Sequence, residues 1–496
     1  MSTDKKSFVK TLGSFNKTFW VASIMELFER WAWYGIFTLL AIYLVGSTDE
    51  GGLGFTHTEK GNLMGFIPAI LYLLPLFTGV IADKIGYKLS LIIAYIMLIS
   101  GYYLMGQVDT YWSVFFVFLY VAIGAALFKP VASAIITKST DKSNGTLGFG
   151  IFYMMVNIGG FIGPAMSSGL RNTYGWKIIF IQAAFVIAIN LLFVLLFFKE
   201  PYREVTKETA SEAIKNSLLK IWEALKDVKL TVLLIIMVGF WTMFNQLFNT
   251  LPNFIEDWVD SSSLSIAIYE FWPALGDFVS KDGQIKPEWF TNIDAGMIIL
   301  LQMFVSFFVL KMRHVSAMIR GFIIAAIGIG ITFYTNNVMF AILGTAIFAI
   351  GEMATNPTFS SFIALISPRG KEALYQGTYF LPVAAGYFFT SFISGNLYQA
   401  WSDKLSLLKI EMENRGIEMP EISKEFTKND YFELASQKLN MGKWEMTQLL
   451  WDTYNPNKIW YVIVGIGVIT ILALSIYDKM VIKPREAKEN ETNENE

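Results

Sequence analysis

Apolar residues run along this chain in twelve stretches of helix length, each bounded by a polar connection. They cover about 18–46, 61–82, 88–106, 111–137, 147–169, 176–198, 230–255, 292–312, 319–336, 338–366, 376–399 and 458–480. A helix rises 1.5 Å per residue, so about twenty apolar residues cross a hydrocarbon core of roughly 30 Å. The pattern predicts an all-α membrane protein with twelve transmembrane helices. The connections carry a sign. Lys5, Lys6, Lys10 and Lys17 precede the first span. Lys84 and Lys88 lie in the second connection, Lys138 and Lys142 in the fourth, and Arg203, Lys207, Lys215, Lys220, Lys226 and Lys229 in the sixth. Lys311, Arg313 and Arg320 flank the eighth, Arg369 and Lys371 lie in the tenth, and Lys483, Arg485 and Lys488 follow the last span. The first and seventh connections are acid-rich, with Asp49, Glu50 and Glu59, then Glu256, Asp257 and Asp260. Basic loops stay on the cytoplasmic side, which predicts that both termini are cytoplasmic.

The connection 199–229 is charged, with an amphipathic stretch at 213–226. It divides the chain into two six-helix halves, 1–198 and 230–485, the second including extramembrane segments 257–291 and 401–458. The latter, rich in Lys and Glu, is expected to form a helical hairpin, and the tail 486–496 to be disordered. Composition agrees: 54% of residues are hydrophobic and 16% charged, where soluble domains carry about 25% charged residues. A net charge of −2 argues against nucleic acid as a partner. With no cysteine and only His57 and His314, both near predicted membrane edges, disulfides, thiolate metal sites and histidine proton relays are not expected. Carboxylates would have to carry any protons. Residues 1–17 are polar and no cleavage site follows, so no signal peptide is expected.

Charges inside the apolar stretches point to function. Glu26, Glu29 and Arg30 lie in the first span at spacings that put them on one helical face. A charge at the centre of a spanning helix costs roughly 2.5–3.5 kcal/mol, so such groups face protein or water and mark a pathway by default. Lys129 lies mid-span beside Pro130, and Glu352 lies in span ten. Asn157 in span five and Tyr72 in span two are further polar groups at membrane depth. These five charges, three acidic and two basic, sum to −1, so one bound proton would neutralise them. The same charges would also serve simply to pair and lock helices. Trp31, Trp33 and Tyr34 fit helix packing as well as a cavity wall.

Six plus six spans suggest a major facilitator fold, and the run Gly79-Val-Ile-Ala-Asp83-Lys-Ile-Gly86-Tyr-Lys88 resembles that superfamily's signature between spans two and three. Its glycines allow a tight turn, and Asp83 is placed to cap or pair with a helix end. Beyond this, the chain resembles the proton-dependent oligopeptide transporter family over nearly its whole length. Glu26, Glu29, Arg30, Tyr34 and Gly35 match the first-span motif, with Trp31 and Trp33 in place of two other aromatics. Leu127-Phe128-Lys129-Pro130 matches the fourth-span motif, although Val131 replaces the usual asparagine. Phe152-Tyr153 through Asn157-Ile158-Gly159, Phe240-Trp241 through Gln246, and Gly351-Glu352 through Pro357 match further family stretches. Tyr379-Phe380-Leu381 takes the place of a tryptophan-led run, and Asn292 is the eighth-span asparagine candidate.

The resemblance implies a proton-coupled symporter that imports di- and tripeptides by alternating access in the cell inner membrane. Arg30 and Lys129 would bind the peptide carboxylate. Glu352, with Asn157 and Asn292, would bind the amino group, Tyr34 and Tyr72 would line the pocket, and Glu26, Glu29 and Glu352 would couple protons. A zwitterion suits cations on one side and an acid on the other. No cofactor beyond the coupling proton, no metal and no enzyme activity are expected. The partners are small peptides and the lipid bilayer, and the chain is expected to act as a monomer. One departure stands out: family members keep a charge pair between spans one and seven where this chain has Phe37 and Asn245, which puts the usual outer gate in question. The alternatives are a major facilitator proton antiporter, or an importer of another small zwitterionic metabolite or drug.

Overall fold

The computed structural model describes residues 13–140, 144–200, 208–368 and 372–484. Lys5, Lys6, Lys10, Lys142, Arg203, Lys207, Arg369, Lys371, Arg485, Lys488 and the tail 486–496 lie outside the described residues. Helices dominate. Helix α1 (Lys17–Val45) is followed by α2 (His57–Leu73), α3 (Pro75–Ile85), α4 (Tyr87–Met105), α5 (Tyr111–Lys138), α6 (Gly145–Tyr174) and α7 (Lys177–Phe197). The connecting helix is α8 (Ala210–Leu225). Then come α9 (Val228–Phe244), α10 (Gln246–Asn249), α11 (Leu251–Trp258), α12 (Ser262–Phe271), α13 (Pro273–Val279) and a hairpin pairing β1 (Ser280–Lys281) with β2 (Gln284–Ile285). The remainder is α14 (Glu288–Val309), α15 (His314–Tyr334), α16 (Val338–Ile366), α17 (Glu372–Gly377), α18 (Phe380–Phe392), a π-helical turn at Ile393–Leu397, α19 (Tyr398–Trp401), α20 (Lys404–Asn414), α21 (Lys428–Leu439), α22 (Lys443–Tyr454) and α23 (Ile459–Tyr477).

Among the described residues, ten helical segments are long and apolar enough to cross a membrane, and α2 with α3, bent by 45° at their junction, makes an eleventh. Helix α1, 29 residues long, is the twelfth by length; its charges keep it out of a purely compositional count. Segment 401–458 holds three helices, α20 to α22, rather than the expected hairpin of two.

By contact the chain forms two compact units, Met1–Phe37 with Ile70–Leu218, and Thr38–Ala69 with Leu219–Glu496. Sequence order places Thr38–Ala69 with the first six spans, whereas its contacts place it with the second set.

In the first unit, small residues bring α6 against α1. A Cβ on Gly159 or Gly163 would strike the carbonyl oxygens of Leu27 or Trp31, and one on Gly35 would lie 3.1 Å from the Gly163 carbonyl oxygen. Such backbone approach requires glycine and fixes the helix that carries the charge motif. The Gly79–Lys88 turn also has its reasons. Gly86 has φ +102°, a value that side-chain-bearing residues rarely adopt. The cap at the start of α4 is Glu200, whose carboxylate accepts from the Tyr87 and Lys88 amides at 2.7 Å each. Asp83 does not cap that helix; it accepts from the Tyr87 hydroxyl at 2.9 Å.

In the second unit, Ile298 of α14 packs with Ala349 and Met353 of α16, with Leu301 and Val305 against the same seam. Gly61 and Gly65 of α2 meet the end of α18 and its π-helical turn so closely that a Cβ on Gly61 would lie 2.5 Å from the Gly395 Cα.

Candidate transport site

The polar residues singled out in the sequence fall into two sets, one in each unit. In the first, α1 buries Glu26, Glu29 and Arg30 at 7%, 0% and 4% exposure. Arg30 Nε and Nη2 both pair with Glu29 Oε2, and Nε lies 3.5 Å from Glu26 Oε1. The guanidinium sits 5.8 Å from the Tyr34 ring centroid. Lys129 of α5 is half-buried, with its ammonium 4.3 Å from the centre of the Tyr72 ring, a cation–π contact. Pro130 has no amide hydrogen for the Ala126 carbonyl one turn back. The Thr78 hydroxyl donates to that carbonyl at 2.6 Å and satisfies it. The proline break beside Lys129 is therefore a built feature. Glu26, Glu29, Arg30, Tyr34, Lys129 and Tyr72 all belong to this unit, and Lys129 acts electrostatically on Glu26. Its two acids and two bases cancel. Asn157 is in the same unit, where its amide nitrogen donates to the Tyr153 carbonyl at 2.9 Å. Trp33 is packing: it stacks on Phe37 at 5.2 Å and lies 6.4 Å from Phe118.

In the second unit, Glu352 of α16 is 6% exposed. Its neighbour was missed in the sequence: Asp294 of α14, 5% exposed, within hydrogen-bonding reach of the Glu352 carboxyl. The census of five charges was thus incomplete. With Asp294 there are four acids and two bases, and the uncompensated pair is Asp294 with Glu352, upon which no cation acts among the described residues. Asp294 Oδ1 and Glu352 Oε2 have no donor among those residues. Glu352 also bonds to Asn356, whose Oδ1 accepts from the Tyr379 hydroxyl at 2.5 Å. Asn292 is buried two residues before Asp294. Asn245, at the break between α9 and α10, is fully buried, and neither amide atom of its side chain has a partner among the described residues. Phe37 is 2% exposed.

A second polar cluster gave no local sequence signal. His57 Nε2 lies 3.4 Å from Asp403 Oδ1, and the Tyr398 hydroxyl donates to Asp257 at 2.8 Å. The buried Lys60 ammonium donates to the Asn249 carbonyl at 2.8 Å and to Asn253 at 2.9 Å. Burial pushes the Asp257 carboxyl up. His57, Asp257 and Asp403 offer ligand atoms within 4.8 Å of one another. Lys60, Lys404 and Lys428 act on the same groups, however, and their positive charge opposes a divalent cation there.

The sequence profile of the Major Facilitator Superfamily matches residues 22–279. Dipeptide and tripeptide permease B of Aliivibrio fischeri is 32% identical over 173 residues, 33% of this chain and 33% of that protein. The aligned stretch thus covers a third of that relative's length. A POT family transporter solved in complex with 5-aminolevulinic acid superposes with a TM-score of 0.67 at 18% identity, covering 96% of this chain and 99% of that one. A nucleoside transporter superposes with a TM-score of 0.63 at 15% identity, covering 93% and 99%. At such identities superposition speaks for the fold and leaves the substrate open. The permease relatives bear out the resemblance to the oligopeptide transporter family.

Proposed function

The chain belongs to the Major Facilitator Superfamily, and we propose that it is a proton-coupled symporter that imports di- and tripeptides by alternating access. It is a multi-pass membrane protein, and over 33% of its length it is similar to a dipeptide and tripeptide permease. We place it in the cell inner membrane with both termini cytoplasmic, on the charge of its loops. One observation carries the substrate reading: the polar set of the first unit includes two cations, Arg30 held by Glu29 and Lys129 against the Tyr72 ring, and that of the second includes two acids, Glu352 and Asp294, on which no cation acts among the described residues. A short peptide has a carboxylate at one end and an ammonium at the other. Arg30 and Lys129 would take the first, and Glu352, with Asn292 and Asn157, the second. Recognition of the ends alone tolerates many side chains. Glu26, Glu29 and Glu352 would carry the coupling proton. Phe37 and Asn245 would stand at the outer gate without charge, so that gate would respond weakly to external pH. The test is uptake of a labelled dipeptide into proteoliposomes with and without an inward proton gradient; equal accumulation in both would sink proton coupling.

A second reading is an importer of another small zwitterion, favoured by the amino acid bound to the structural relative above. Competition decides between them. An excess of unlabelled 5-aminolevulinic acid that blocks dipeptide uptake less well than an unlabelled dipeptide supports the peptide reading, and the reverse order supports the second.

A further inference from the structure

Asp294 adds its charge to that of Glu352, and its surroundings constrain its chemistry further. It lies at the end of the α14–α16 seam: Ile298 is one turn along from it on α14, and Ala349 and Met353 flank Glu352 on α16. The Asp294 and Glu352 carboxyls are within hydrogen-bonding reach, and each retains an oxygen without a donor among the described residues. Ionised carboxylates only accept hydrogen bonds, so two of them bond to one another only when one carries a proton. Two like charges at this separation cannot both ionise in a medium of low polarity. Among the described side chains, the titratable or charged groups on the elements packed here are Glu288 on α14, Glu256 and Asp257 on α11, His314, Arg320 and Tyr334 on α15, and Tyr375 on α17. His314 is bonded to Ser361, more than two helical turns from Glu352, and the one charge acting on Glu352 is that of Asp294. From Glu352 the network runs on through Asn356 to the Tyr379 hydroxyl, and the Trp241 ring meets Tyr379 edge-on at 6.1 Å. The Trp241 indole nitrogen, on a side chain more than nine-tenths buried, has no acceptor among the described residues.

We propose that Asp294 and Glu352 share one proton and that this singly charged pair is the form that receives the substrate's primary ammonium group. Asp294 is then a positioning residue that keeps a proton at the substrate site. This deepens the function proposed above and rests on it for the identity of the ammonium. The balance is simple. Two carboxylates take up one proton and one ammonium cation, and the loaded pair is neutral. No bond other than the O–H of the shared proton forms or breaks. The arrangement also gives this chain a proton-holding carboxyl in the half where the acid of span seven is replaced by Asn245.

The test needs no transport assay. Infrared spectra of the purified full-length protein at neutral pH are recorded for the parent, Asp294→Asn and Glu352→Gln, each checked for a monodisperse folded state. The parent-minus-variant difference should show loss of one protonated carboxyl band in both variants. Dipeptide binding to the parent should weaken as the pair gains or loses its proton. In Asp294→Asn the pH midpoint of binding should move by about one unit or more, as expected for strongly coupled acids. A protonated carboxyl band that survives in Asp294→Asn, or an unmoved binding profile, overturns the shared proton. Loss of the band in both variants with no peptide binding by the parent leaves the pair standing and overturns the peptide reading instead.

Discussion

Lys129 shows how neighbours hold a single charged side chain in place. Pro130 frees the Ala126 carbonyl, Thr78 fills it, and the ammonium lies against Tyr72. Replacing Thr78 by Val leaves a buried acceptor open. The expected cost is about 1–3 kcal/mol, read as a lowered midpoint of thermal unfolding, and Thr78→Ser should recover most of it. If Lys129 holds the peptide carboxylate, amidating a dipeptide's C-terminus removes a charge-assisted bond of roughly 1.5–3 kcal/mol, about tenfold or more in affinity. Lys129→Gln should bind both peptides weakly and nearly equally. A variant that discriminates as the parent does would move the carboxylate site elsewhere. Lys129, Glu26, Glu29, Arg30 and Glu352 were legible in the sequence because a charge within an apolar run is costly and therefore conspicuous. Asp294 was not. It lies in the second turn of α14, just after the long polar stretch 257–291, where an acid reads as belonging to the water-facing end. Only the fold, by setting α14 against α16, turns it into a partner for Glu352.

Among the elements, the crossing of α1 and α6 rests on glycine in a way that is simple to break. A methyl at Gly163 meets the Trp31 carbonyl oxygen and the Gly35 nitrogen, both backbone, and neither yields cheaply. Overpacking of this kind costs about 1–3 kcal/mol. Gly163→Ala should lower the thermal midpoint and, by shifting α1, weaken dipeptide binding as well. Gly150→Ala on the same helix meets nothing within 4 Å and should match or exceed the parent's stability, since alanine is the better helix former. Equal effects of the two substitutions would contradict the close crossing. The spans themselves were legible because an apolar run of helix length has few other fates. The break between α2 and α3 beside Pro75 and the three helices of 401–458 were not. The helices of that segment are short and polar, and two of them begin at caps, Asp403 and Thr427, that only a local hydrogen bond reveals.

If the chain works by the proposed alternating access, some contact within it must close and open, and the packing of α2 against the end of α18 in the second unit is one whose opening can be tested. Gly61 and Gly65 of α2 press against Ser391 and Gly395, with Lys60 and His57 bonded nearby to groups of the same unit. The packing is tight enough that a larger side chain cannot enter while the contact stands. Gly61→Leu should therefore disfavour it by about 1–3 kcal/mol, a population shift of roughly tenfold or more toward the separated state. The chain has no cysteine, so the shift can be read without removing native thiols. Ser394 is fully buried at this contact and Lys424 is exposed in the segment between α20 and α21. In detergent, a cysteine at Ser394 should react with a bulky maleimide far more slowly than one at Lys424. Adding Gly61→Leu should raise the Ser394 rate about tenfold and leave the Lys424 rate alone. If the proposed symport passes through closure of this contact, dipeptide uptake should fall with it. An unchanged Ser394 rate together with intact uptake would show that α2 and the end of α18 stay together throughout transport, and that the moving contact lies elsewhere.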